Sequence, residues 1–274
     1  MKVNVMAVLV LCCLATAVMA EEGHKEKQTP LVQLSQEVTA LQVLYALDLT
    51  RPQLEAVKKL AALTAAKPDK TAQGKGSDNL RKKLVALRDA LIEAKDDEHI
   101  GDLMDDIDTL RESEKPELDD QVDITEMAVT HAPKFLQMLT ARQVAAYVGS
   151  FADDIADPRQ RLLESLEKVR GLPDDKWAEM RDEVSEEVSG LVAGLDDQRA
   201  AQVSAKVVQL MIVARSLKPA EFKAQRSDLE KQANQILGDI GPTDVLRHVM
   251  ERALAELLSN PSLPAALEAR LKKL

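Results

Sequence analysis

Side chains able to do chemistry at neutral pH are few in this chain and poorly grouped. The four histidines, His24, His99, His131 and His248, are scattered. None stands in H-x-x-x-H or H-E-x-x-H spacing, and the single Glu-x-x-His, Glu21 to His24, lies in a charged stretch near the amino terminus. A di-iron or zinc-hydrolase site is therefore not expected. The densest set of potential ligands is Asp96, Asp97, Glu98, His99, Asp102, Asp105, Asp106 and Asp108. On a helix His99, Asp102 and Asp106 share a face, which suits weak divalent-ion binding. The ordinary reading of the same residues is a solvated acidic face. They do not form an EF-hand loop, because Ile100 and Ile107 stand where ligands are needed if Asp96 is position 1. No nucleophile elbow, phosphate-cradling loop or dinucleotide fingerprint occurs, and the ten glycines are dispersed. No enzyme, no cofactor and no resident metal are expected.

The only cysteines, Cys12 and Cys13, fall inside residues 1–20. That segment has the layout of a secretory signal: Lys2, an apolar run from Val5 to Val18, and small residues ending at Ala20. Its apolar run is short for a membrane span, although an uncleaved anchor is the alternative. Cleavage would leave about 254 residues without a thiol, and the loss of Lys2 would move the formal net charge from −10 to −11. Such a chain has no disulfide scaffold, thiol nucleophile, zinc-thiolate or iron–sulfur site. Residues 21–28 read as a flexible charged arm. An acidic chain with 2% aromatic residues is not expected to bind nucleic acid. No later segment is apolar enough to insert stably in a membrane. Export without cysteine points to the periplasm or another compartment of a bacterial envelope.

One short pattern occurs twice. Leu49-Thr50-Arg51-Pro52-Gln53 and Leu139-Thr140-Ala141-Arg142-Gln143 both read L-T-x-x-Q, 90 residues apart, and each is followed by an apolar residue, Leu54 or Val144. This is the arrangement of a helix start. Thr at the N-cap accepts a bond from a first-turn N–H, and Gln three positions on reaches back to the cap's own N–H. Leu49 with Leu54, and Leu139 with Val144, are placed to form hydrophobic staples, and Pro52 falls in the first turn, where a missing N–H is harmless.

The paired motif, with the export signal, resembles the Spy/CpxP family, the LTxxQ proteins of bacterial envelopes. The resemblance covers about residues 30–155. It implies a small all-α fold in which both motifs begin helices, and a role among periplasmic stress proteins: ATP-independent chaperones that hold unfolded chains on a concave surface, stress-signalling adaptors, or metal sensors. The sequence departs from that pattern in its wide motif spacing, its acidic balance and a long helical stretch after residue 155.

The elements that must position these residues are helical throughout. Ala, Leu, Glu, Lys, Arg and Gln dominate, and apolar residues recur at three- and four-residue steps. Leu80, Leu84, Leu87 and Leu91 form one stripe; Trp177, Met180, Val184, Val188, Leu191 and Leu195 form another; Phe222, Leu229, Ala233, Ile236 and Ile240 form a third. The chain is predicted to be all-α, built of antiparallel helix hairpins in a bundle or short helical array. Residues 67–78 read as a linker, and breaks are expected around Pro116 and Pro133. Two regions follow, 29–155 carrying the motifs and 156–274. In the second, turn signals open at Leu172, Leu195, Leu217, Ile240 and Leu263, spaced 23, 22, 23 and 23 residues apart, enough for one helix and a turn each.

The partners expected on this reading are other proteins or unfolded polypeptides, gripped through apolar helix faces; the oligomeric state is open, with a dimer allowed. Two alternatives stand beside it: a scaffolding helical protein with one specific partner, and a periplasmic metal sensor.

Overall fold

In a computed structural model the described residues are 29–68, 74–118, 120–149, 155 and 157–274. The signal and arm, with His24, Cys12 and Cys13, lie outside them, as do residues 69–73 of the linker. Twelve α-helices and no strand occur among the described residues, so the fold is all-α. They are α1 (Leu31–Ala46), α2 (Arg51–Thr64), α3 (Asp78–Glu93), α4 (Asp97–Glu114), α5 (Glu126–Met138), α6 (Ala141–Gly149), α7 (Pro158–Lys168), α8 (Asp174–Ala193), α9 (Asp197–Ser216), α10 (Pro219–Leu237), α11 (Pro242–Ser259) and α12 (Leu263–Lys273). None of these helices is long and apolar enough to cross a membrane.

The chain divides into two compact units. One consists of the described residues before Phe151 together with Leu254–Leu274; the other lies within Ala152–Ala253. In the first, α1 is the central helix. Leu31, Val32, Leu34, Val38, Ala40, Leu41 and Leu44 point in several directions around it and are all buried. A helix apolar on more than one side must be enclosed, and α3 and α12 pack against it while α2 and α5 pack together. The stripe Leu80, Leu84, Leu87 and Leu91 is the buried face of α3.

Most polar groups buried in this unit are satisfied, although Arg111 Nε is buried without a hydrogen-bond partner. Glu37 bonds Arg88 Nε at 2.9 Å, and Ser35 Oγ donates to Asp120 Oδ2 while accepting from Arg111. The segment after α11 is polar in sequence yet buried. Asn260 Nδ2 donates to Gln36 O at 2.9 Å, Ser262 Oγ to Gln33 O at 3.2 Å, and Ser259 Oγ accepts from Thr125 N. The sequence assigns 254–274 to the region beginning at 156. In the folded chain those residues belong to the first unit, where Leu263, Ala266 and Leu267 of α12 are buried.

The second unit is a bundle of α7, α8, α9 and α10 with one turn of 3-10 helix, Val169–Gly171, closing α7. The turn signals at Leu172, Leu195, Leu217 and Ile240 each precede one helix, and the signal at Leu263 coincides with the first residue of α12. The core is aliphatic: Leu162, Leu166, Val184, Val188, Val192, Val207, Met211 and Ala233 are buried. Trp177 and Phe222 pack at its edge, where Arg215 stacks over the Trp177 ring at 4.9 Å and Arg170 over the Phe222 ring at 4.5 Å. Gly194 ends α8 at φ +61°, and a Cβ there would stand 2.9 Å from the His248 ring, so this turn requires glycine.

Pro133 does not break the chain as its sequence signal suggests; it lies inside α5. Proline in a helix interior removes one hydrogen bond at a cost of about 3 kcal/mol, and α5 carries it because Ala128, Ala132 and Phe135 on the same helix are fully buried.

Candidate functional site

Both L-T-x-x-Q segments start helices. Thr50 precedes α2 and Thr140 precedes α6. Thr50 N–H donates to Gln53 Oε1 at 2.9 Å and Thr140 N–H to Gln143 Oε1 at 2.9 Å, while Gln143 N–H donates to Thr140 Oγ1 at 3.3 Å. Leu49 and Leu54 are buried beside the first cap; Leu139 and Val144 are half-buried beside the second.

The two caps are also joined to each other. Gln53 Nε2 donates to Gln143 Oε1 at 3.0 Å, and Gln143 Nε2 donates to Gln53 Oε1 at 3.0 Å. The second amide hydrogen of each is used in the same way: Gln53 Nε2 reaches Met138 O at 2.8 Å, and Gln143 Nε2 reaches Asp48 O at 3.0 Å. Each of those carbonyls lies two residues before the opposite threonine, so the knot has an approximate two-fold symmetry. A capping box uses only the amide oxygen of its glutamine. The two remaining donors of a half-buried amide need partners, and here the second motif supplies them. The equal spacing within the motifs was the sequence signal for this pairing, although capping alone accounts for either copy.

The knot fixes how α2 meets α5. Its Gln53–Met138 bond holds the start of α2 to the end of α5, and Thr125 Oγ1 donates to Thr64 O at 2.9 Å at the other end, so the two helices run antiparallel. Between them lies an open groove of about 490 Å³, lined by Pro52, Glu55, Ala56, Lys59 and Leu60 of α2 and Lys134 and Met138 of α5. Leu63, 62% exposed, continues the α2 stripe, and Met127, 46% exposed, continues the α5 stripe by its helical spacing with Lys134 and Met138. The groove has an apolar floor and mixed charge on its rims.

The acidic cluster is dispersed into caps and pairs. Asp96 is the N-cap of α4, and the His99 N–H bond holds its carboxyl below the usual range. Asp97 accepts from Tyr45 at 2.5 Å, and Asp106 pairs with Lys83. Among the described residues no three His, Cys, Asp or Glu side chains gather to hold an ion, so the face of His99, Asp102 and Asp106 is not assembled into a metal centre. His131 stands 3.4 Å from Lys134, and His248 Nδ1 lies 2.9 Å from Leu191 O.

Both tyrosines of the chain have phenols pushed up to about 12. Burial is the main cause for each, with the Asp97 bond adding to it at Tyr45 and the charge of Glu256 at Tyr147. A raised phenol pKa means that the folded state keeps the proton longer than the unfolded chain. The resulting stability is complete below about pH 10, the ordinary tyrosine value, and is lost as pH rises toward 12. Alkaline titration of the tyrosinate absorbance is expected to show almost no ionisation at pH 10 in the native protein and half-ionisation in urea. Half-ionisation of the native protein at pH 10 would contradict both environments.

No family model matches the chain, and no curated protein or solved structure matches it either.

Proposed function

We propose that this chain is an exported helical binding protein that holds polypeptides through apolar helix faces, acting as an ATP-independent periplasmic chaperone or an envelope-stress adaptor. The observation that carries the reading is the α2–α5 groove, an open apolar strip with lysines on both rims, held at one end by the knot of the paired motifs. Apolar area supplies non-directional grip, thioether and aliphatic floors adapt to varied sequences, and the rim charges keep the complex dissolved. No nucleotide-binding or catalytic feature is needed for such a role. The resemblance to LTxxQ proteins supports the same compartment and mode of action.

Suppression of aggregation of a cysteine-free client, measured by light scattering, tests the proposal. Equimolar protein is expected to suppress scattering, and Leu63→Glu, at an exposed position that leaves the core intact, is expected to weaken suppression severalfold. No suppression by the unaltered chain, or full suppression by Leu63→Glu, would count against the groove as the holding surface.

A further inference from the structure

In the second unit α9 presents a face that contrasts with the rest of the surface. Ala201, Ala205, Val208 and Ile212 follow each other at steps of four, three and four residues, the spacing of a coiled-coil seam. They lie on the side of α9 opposite its buried stripe of Val203, Val207, Leu210 and Ala214. Ala201, Ala205 and Ile212 are exposed, Ile212 to 45%, and Val208 is half-buried. The positions flanking this seam, Gln202 and Gln209 among them, are uncharged. By contrast the neighbouring α8 exposes Asp182, Glu183 and Glu186, and the chain as a whole carries a net charge of −10.

We infer that this face is the site of an antiparallel, two-fold contact between α9 of two copies of this chain. Two like-charged chains repel wherever their acidic surfaces meet, so an uncharged seam is where they approach at least cost. The seam is also complementary to itself. In the antiparallel register that sets Ala201 level with Ile212 of the second copy, Ala205 is level with Val208. Small side chains then face larger ones at every step, which fills the contact without overpacking. The same register brings Asp197 of one copy level with Ser216 of the other, the last residue of α9, with Lys218 two residues further on as the N-cap of α10. An acidic side chain thus approaches the end that carries a basic one on each side of the seam, and neither Asp197 nor Lys218 is in an ion pair among the described residues. A parallel pairing would set Ala201 on Ala201 and Ile212 on Ile212 and would align the helix dipoles unfavourably.

The twelve residues of the seam, Ala201 to Ile212, span about 16 Å, roughly three turns. Such a contact is smaller than a standard interface of about 1,600 Å², so a dissociation constant in the micromolar range is expected. Sedimentation equilibrium of the full chain carrying Cys12→Ser and Cys13→Ser, at concentrations up to about 100 µM, is expected to show reversible dimerisation. Ile212→Glu would bury one unpaired charge against Ala201 of the other copy at each end of the seam and is expected to raise the dissociation constant at least about tenfold, with an unchanged circular dichroism spectrum. In the same background Ala201→Cys/Ile212→Cys is expected to form a disulfide-linked dimer on mild oxidation, and Ala201→Cys alone is not. A monomer throughout, dimerisation indifferent to Ile212→Glu, or efficient cross-linking by Ala201→Cys alone would overturn the inference.

Discussion

Ending the chain at Ser259 is expected to unfold the first unit and leave the α7–α10 bundle folded. The deletion removes α12, whose Leu263, Ala266 and Leu267 are fully buried and which packs on α1, α2 and α3. Leu263 and Leu267 alone account for about 3–6 kcal/mol of apolar burial, against the 5–15 kcal/mol of net stability usual for a domain. The loss does not stop there. Without Asn260 and Ser262 the carbonyls of Gln36 and Gln33 lose their side-chain donors, and without Arg270 Nη1 the Leu91 carbonyl at the end of α3 loses its 2.8 Å bond. Limited proteolysis read by mass spectrometry should find cleavage spread across α1 to α5 and protection of α7 to α10. Protection of α1 in the shortened chain would mean that α12 is an appendage and not part of the core.

Replacing either knot glutamine by alanine is expected to be the most damaging single change at a half-exposed position in the first unit. Gln143→Ala removes the acceptor of Thr140 N–H, the donor to Asp48 O and both bonds to Gln53 at once. Leaving partly buried polar groups without partners costs about 1–3 kcal/mol, whereas loss of a helix cap alone costs about 1 kcal/mol. Thermal unfolding should therefore place Gln143→Ala well below Asp96→Ala, a cap whose side chain serves α4 through His99 N–H. Equal losses in the two variants would reduce the knot to an ordinary cap.

Local organisation was legible in the residues because local physics sets it. The turn signals at Leu172, Leu195, Leu217 and Ile240 each stand ahead of one helix, the signal at Leu263 opens α12, Asp157 caps α7, and Thr50 and Thr140 precede α2 and α6 as their capping pattern requires. Long-range assembly was not legible in the same way. Even spacing carried the sequence reading straight through residue 254, yet the last helix returns to the first unit, because helix length and turn chemistry contain no information about which faces meet. Ser259, Asn260 and Ser262 are polar yet buried, since their side chains cross to α1 and to Thr125. Pro133 read as a break and is helical, its local penalty outweighed by the burial of Phe135. Two separate caps were visible in the paired motifs; that each completes the other's hydrogen bonds depends on a meeting of residues 90 positions apart.

A double-mutant cycle on Gln53 and Gln143, with stability measured by urea unfolding, tests that meeting most directly. Gln53→Ala and Gln143→Ala together should destabilise by at least about 1 kcal/mol less than the sum of the two single changes, as required when two side chains serve one network. Additive losses would show that the threonine–glutamine caps act independently, with no bond between them to hold α2 against the end of α5.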